Sequence, residues 1–195
     1  MENGFFAMMS RMKLIERWAL MRNSHAENIS EHSHEVSIIA HALAIISNER
    51  LGNRLNAEKA ALIGIYHDAT EIITGDMPTP VKYYNTHIQD AFKAVEKAAA
   101  DGLLAMLPED LRRSYHSVFV PREDELYLWK LVKAADKLAA LIKCIEERKA
   151  GNTEFGSAEK SIKDILCSMK LEEVDIFMNE FLPAYDKTLD ELNSR

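Results

Sequence analysis

Along most of the chain apolar residues return every three or four positions, the period of an amphipathic helix. The pattern is plainest at His32, Val36, Ile39, Leu43 and Ile46, where a histidine occupies one place in an otherwise apolar stripe. It predicts a helix capped by Ser30. Leu128, Val132, Ala135, Ala139 and Ile142 stripe a second, longer helix over 122–149, which Gly151 should close. Residues 5–15 predict a short first helix. The period lapses over 16–29 ("ERWALMRNSHAENI"), which predicts an ordered loop. Asn56 caps a helix expected to run to Gly75, ahead of Pro78 and Pro80. Thr86 with Gln89 predicts a capping box for a helix striped by Ile88, Phe92, Val95, Ala99 and Met106. Pro108 suits the first turn of a shorter helix, and two more follow over 154–169 and 172–192, the last broken at Pro183. With no repeat, low-complexity tract or linker to divide it, the chain is expected to form a single all-α domain over 1–195.

Composition narrows the class without naming an activity. The apolar fraction of 47% and charged fraction of 28% are ordinary for a globular domain, and 7 glycines and 5 prolines in 195 residues suit long helices. No stretch approaches the ~20 apolar residues of a membrane span. The N-terminal "MENGFFAMMSRMK" lacks the apolar core of a leader, so a cytoplasmic protein is expected. Cys144 and Cys167 lack a CxxC spacing and are expected to be buried free thiols. A net charge of −7 with no basic block argues against a nonspecific nucleic-acid binder, although a small anionic substrate needs only local positive charge.

The candidate chemistry lies where charges interrupt apolar stripes. In "IYHDATEIITGDMPTP" (65–80) an apolar run ends in His67-Asp68, and Glu71 follows. His32 and Asp136 sit on the stripes of two other helices. Burying such groups is costly unless they are paired or bound to a metal. Two imidazoles and two carboxylates are a sound ligand set for a divalent transition ion. Glu71 is four residues from His67 and three from Asp68, so the three side chains share one helical face, and if His67 and Asp68 hold a metal, Glu71 stands where a carboxylate can handle the proton of a water that the metal activates. Asp76 follows the Gly75 turn, close to the same mouth. His34 and His41 point away from His32, and His87 and His116 stand alone, so one ion per chain is expected.

The order His32…His67-Asp68…Asp136 in an all-α chain resembles the HD-domain metal-dependent phosphohydrolases. Within them, Arg17-Trp18, "ENISEHS" (27–33), "YHDATEIITGDMPTPVKYYN" (66–85) and "KAADKLAALIKCIEE" (133–147) are similar to the bacterial 5′-deoxynucleotidases of the YfbR type. The likeness runs through the whole chain. It implies an HD-domain bundle with a metal-binding core about 28–150 and a C-terminal helical extension. It implies metal ligands at His32, His67, Asp68 and Asp136, a catalytic carboxylate at Glu71 and a phosphate-orienting Arg17. Asp76 should contact the substrate, with His32 and Asp136 beside it, and Trp18 should favour 2′-deoxyribose. The implied reaction is hydrolysis of 2′-deoxyribonucleoside 5′-monophosphates by a homodimer using Co²⁺ or Mn²⁺, with Zn²⁺, Ni²⁺, Mg²⁺ or Fe²⁺ as alternatives. Asp76 could assist the leaving 5′ oxygen or bind the sugar, and the residues leave that choice open. The segment around 121–124 departs from the family pattern. Two rival readings are an HD hydrolase of another nucleotide phosphoester (guanosine tetraphosphate, a dNTP or a cyclic nucleotide) and a non-catalytic metal-binding helical scaffold. The first loses ground because Glu71 is followed by Ile72 rather than an acid and no GYP tripeptide occurs; the second, because no ligand position is lost.

Overall fold

Two long helices, α2 (Ile29–Leu51) and α8 (Leu126–Lys149), form the axis on which the molecule is built. The computed structural model describes residues 3–82 and 84–193, the side chain of Thr79 excepted; Met1 and Glu2, part of the stretch read as lacking a leader, lie outside them. Ahead of the axis comes α1 (Phe5–Met9); α3 (Ala57–Tyr66), α4 (Glu71–Thr74), α5 (Thr79–Lys82), α6 (Thr86–Ala105) and α7 (Glu109–His116) lie between the two long helices. After α8 come α9 (Gly156–Ser168), α10 (Glu172–Glu180) and α11 (Leu189–Asn193). Among the described residues the extended pairing is one isolated bridge, Glu16 with Asn28, so the all-α expectation holds.

The main core gathers apolar residues of α2, α3, α8, α9 and α10. Val36, Leu43, Ile63, Leu131, Leu138 and Leu141 are fully buried in it, each contributing about 2 kcal/mol of transfer free energy. From Leu138 to Ile145 every residue of α8 is buried, so it is a central helix covered all round. A second cluster joins Phe5, Met12, Ile29, Ala69, Leu103, Leu104 and Leu107.

Gly64 sets the spacing of α2 and α3. A Cβ there would lie 2.7 Å from the Cα and 2.9 Å from the N of Ser37. Only a hydrogen fits, so the two backbones touch, and the ends of both helices are drawn to one point.

Several boundaries differ from the predicted ones, for local reasons. The first helix splits into α1 and a 3-10 turn over Met12–Leu14. Asn28, not Ser30, caps α2: its extended backbone lets the side chain accept from the Ser30 and Glu31 N–H groups, and Glu31 returns a bond to the Asn28 N–H. Asn85 likewise caps α6 in place of Thr86. Val95 is 50% exposed, and the buried face of α6 runs instead through Phe92, Ala99, Ala100, Leu103 and Leu104. Cys144 is buried but Cys167 is exposed; both are free thiols. The helix carrying His67 stops at Tyr66, and a tight turn over 67–70 precedes α4, which ends as expected at Gly75 with φ 71°.

Candidate metal centre and its surroundings

His32 sits in the first turns of α2, fully buried. His67 and Asp68 occupy the turn that follows α3, and Asp136 lies in the middle of α8. Three separate helices therefore deliver four ligand-type side chains to one place. The two imidazole rings are 5.3 Å apart. One atom each of His32, His67 and Asp68 falls within 4.8 Å of the others, and Asp136 joins this trio through His32. His32 Nε2 is 3.1 Å from Asp136 Oδ1 and 3.6 Å from Asp68 Oδ2; His67 Nε2 is 3.2 Å from Asp68 Oδ2.

The chemistry of these groups is compatible with a metal ion. The His67 Nδ1–H donates to the Gly64 carbonyl at 2.8 Å, which can only accept, so its Nε2 turns inward as a lone pair. That Nε2 is buried and makes no hydrogen bond despite its nearness to Asp68. An unprotonated Nε2 beside a carboxylate is a pair of acceptors that a cation could satisfy. Electrostatics agree. Burial opposes ionisation of Asp68, yet the adjoining His67 holds it down to about 2. Asp136 is held well below the usual carboxylate range, against burial, by Lys137 and the two histidines; Lys137 Nζ donates to its outer oxygen at 2.8 Å. Burial lowers His32; burial also lowers His67, but Asp68, Asp136 and the Gly64 carbonyl together outweigh it and raise that imidazole. The centre is acidic and largely enclosed, and a cation could neutralise it.

Glu71 begins α4. The expected common helical face is replaced by the 67–70 turn, closed by the Glu71 N–H donating to the Asp68 carbonyl at 2.9 Å. Its Oε2 is buried without a partner. Burial and the Asp68 and Asp76 charges push its carboxyl up to about 9. Asp76 is also raised, by burial; Arg17 pulls it back, Asp68 pushes it further up and a Trp18 backbone group favours its ionised form.

Arg17 and Trp18 reach this centre from the loop before α2. Arg17 Nη1 donates to Glu27 Oε2 at 2.6 Å, and the guanidinium feels the charges of Asp136, Asp68 and Asp76. Trp18 has φ 59°, a left-handed conformation that an L side chain rarely adopts. Its ring packs on Phe155 with centroids 5.2 Å apart, and its Nε1–H donates to Glu27 Oε2 at 3.0 Å. The structure thus brings His32, His67, Asp68, Asp136, Glu71, Asp76, Arg17 and Trp18 into one neighbourhood. Residues 121–124 do not take part: Arg122 pairs with Asp124 at the surface. His25, His34, His41, His87 and His116 are all exposed. Sequence reasoning missed Glu27, Lys137 and Phe155. Glu27 lies in a loop with no periodic signal, and only the conspicuous acid inside "ENISEHS" could have flagged it.

Comparison with known proteins points the same way. The family model described as 5′-deoxynucleotidase YfbR-like matches residues 4–185. A 5′-deoxynucleotidase of Vibrio vulnificus is 45% identical over 192 residues, 98% of this chain and 99% of that one. A 5′-deoxynucleotidase YfbR of Salmonella paratyphi B is 48% identical over 197 aligned positions, 98% of this chain and 96% of its own. Among solved structures, an HD-domain phosphohydrolase from Listeria innocua superposes with a TM-score of 0.80 at 24% identity, covering 94% of this chain and 88% of that one.

Proposed function

The chain belongs to the YfbR-like 5′-deoxynucleotidase family, and on that premise we propose how its residues hydrolyse 2′-deoxyribonucleoside 5′-monophosphates to deoxynucleoside and phosphate. It is a metal-dependent phosphomonoesterase, and the whole chain acts as one HD domain. The observation that supports this reading of the site is the cluster of His32, His67 and Asp68, whose ligand-type atoms lie within 4.8 Å of one another, with Asp136 Oδ1 3.1 Å from His32 Nε2. His32, His67, Asp68 and Asp136 hold one divalent cation there, with Co²⁺ or Mn²⁺ suited to a mixed nitrogen and oxygen set. That ion, when bound, supplies Lewis acidity to the phosphoryl group and lowers the pKa of water.

The remaining work falls to side chains. Arg17 spends one N–H on Glu27 and keeps its other guanidinium donors for the phosphate, a planar clamp that lysine cannot reproduce. Glu71, whose Oε2 is buried without a partner beside Asp68 and Asp76, is placed to take the proton of the attacking water. Asp76 binds at the sugar side, and its raised pKa suits it to hand a proton to the departing 5′ oxygen. Trp18, fixed by Phe155 and Glu27, walls the sugar so that a 2′-hydroxyl finds neither room nor partner. Among the described residues no helix is long and apolar enough to cross a membrane, and we place the enzyme in the cytoplasm. We also assign it as a homodimer; exposed Ile38, Ile45 and Phe181 on α2 and beside α10 support this.

The test is an assay of the Mn²⁺- and Co²⁺-loaded protein on paired ribo- and deoxyribonucleoside 5′- and 3′-monophosphates. Faster turnover of dAMP than of AMP or 3′-dAMP is expected, with one tight equivalent of metal per chain. Failure to hydrolyse any monophosphate, or two tight equivalents, would overturn the corresponding assignment.

A further inference from the structure

Glu27 is 9% exposed, and its carboxylate is the meeting point of three residues assigned above to different tasks. Oε2 accepts from Arg17 Nη1 at 2.6 Å and from Trp18 Nε1 at 3.0 Å, while Oε1 lies 3.8 Å from His32 Nδ1. Its backbone also takes part, because the Arg17 N–H donates to the Glu27 carbonyl at 2.8 Å. A carboxylate beside a phosphate-binding arginine is at first sight counterproductive, since it offsets the charge meant for the substrate. Geometry resolves this. A free arginine on a loop has several rotamers to lose on binding, and a fixed one has already lost them. With Nη1 held, the rest of the fork is aimed without the substrate's help.

Trp18 makes the same demand more strongly. A non-glycine residue at φ 59° is strained and persists only where its surroundings over-determine it. The Trp18 ring packs on Phe155 with the Arg17 guanidinium 5.6 Å from its centroid, and Glu27 is the single hydrogen-bond acceptor of its indole N–H among the described residues.

We propose that Glu27 is the positioning residue that sets both phosphate affinity and discrimination against the 2′-hydroxyl, by locking the Arg17 fork and the Trp18 wall in one arrangement. This rests on the substrate reading given above. Glu27 touches no substrate atom in this scheme; it acts through its two neighbours.

The experiment compares wild type, Glu27→Gln and Glu27→Ala as full-length Mn²⁺-loaded proteins, measuring kcat and KM for dAMP and AMP. Nucleotide binding is measured in parallel by calorimetry in a Glu71→Gln background that does not turn over. Glu27→Ala is expected to lower kcat/KM for dAMP by about 10- to 100-fold, chiefly through KM, as loss of a ligand-orienting partner does. AMP should lose less, so the dAMP/AMP ratio contracts. Adding Glu27→Ala to Trp18→Ala should contract that ratio no further. Glu27→Gln keeps the volume and an acceptor for the indole, so it should fold, keep most of the ratio and still weaken dAMP binding about tenfold through Arg17. A purely structural role would lower both substrates by one factor together with the melting temperature. An unchanged ratio in Glu27→Ala, or unchanged dAMP binding in Glu27→Gln, therefore overturns the inference alone. A wild type indifferent to the 2′-hydroxyl overturns the substrate reading and this inference with it.

Discussion

At the scale of single residues, the proposed role of Glu71 ties catalysis to stability in one group. Its carboxyl is pushed from the ordinary 4.5 up to about 9 by burial and by the Asp68 and Asp76 charges. Between those values the folded protein binds a proton that the unfolded chain does not, so stability falls as pH rises through that window. Glu71→Gln copies the protonated form. In chelator-treated protein it should therefore melt higher than wild type near pH 8 and level with it near pH 4. Turnover of dAMP should fall by about 10²- to 10⁴-fold while one equivalent of Mn²⁺ still binds, because the residue is a proton acceptor and not a ligand. Thermal melts across pH with metal titrations check both halves, and loss of the metal would show that the role is misassigned. The proposed ligands were legible because His32 and Asp136 interrupt apolar stripes and His67-Asp68 ends an apolar run, places where burial needs a reason. Glu27 and Phe155 were not. Their meaning comes from pairing across 10 and 137 positions with a loop whose sequence has no period.

At the scale of elements, the close contact of α2 and α3 at Gly64 brings His32 and His67 to a common point. The same glycine lends its carbonyl to orient the His67 ring. Gly64→Ala would push a methyl into the Ser37 backbone, which cannot move aside as a flexible side chain could. A loss of about 1–3 kcal/mol is expected, as for other overpacked cores. Metal affinity should fall more than this global loss implies, since separating the helices moves one histidine off the other. Differential scanning calorimetry with Mn²⁺ titration checks this; a variant destabilised but binding metal as wild type would refute the spacing role. Helix existence followed from periodicity, whereas ends depended on competition between neighbours. Asn28 and Ser30, or Asn85 and Thr86, are all competent caps, and only the extended backbone at the asparagines decides between them. The break after Tyr66 was hidden for another reason. "AALIGIYHDATEII" carries no proline or glycine at the break, and the turn buries Ala69 fully in the second cluster while His67 and Asp68 join His32. Tertiary packing overrides local propensity there.

At the scale of the whole molecule, the question is how a non-helical segment can hold Arg17 and Trp18 as firmly as a helix would. The answer lies seven and eleven residues beyond Asp136, on the same face of α8, at Lys143 and Glu147. These two form a buried ion pair, and Lys143 Nζ also donates to the His25 carbonyl. Glu147 accepts from the Ser24 N–H at 2.8 Å, the Ser24 hydroxyl at 2.7 Å and Asn152 Nδ2 at 2.7 Å; Asn152 in turn binds the Arg22 carbonyl. The helix that supplies Asp136 thereby also anchors the loop that supplies Arg17 and Trp18. Removing one partner of a buried pair strands the other, so Glu147→Ala should cost about 3–5 kcal/mol. Those bonds outweigh burial and hold the Glu147 carboxyl down to about 2, against its ordinary 4.5. A depressed carboxylate contributes stability that is complete above the unfolded value and lost as pH falls through the folded one. The gap in melting temperature between wild type and Glu147→Gln should therefore be widest above pH 5 and close progressively between about 4.5 and 2. At neutral pH and below the melting point, Glu147→Gln should raise KM for dAMP and leave metal stoichiometry alone, because the four ligands stand on other contacts. If the variant instead lost metal and kept its KM, the anchor would serve the metal centre and not the loop.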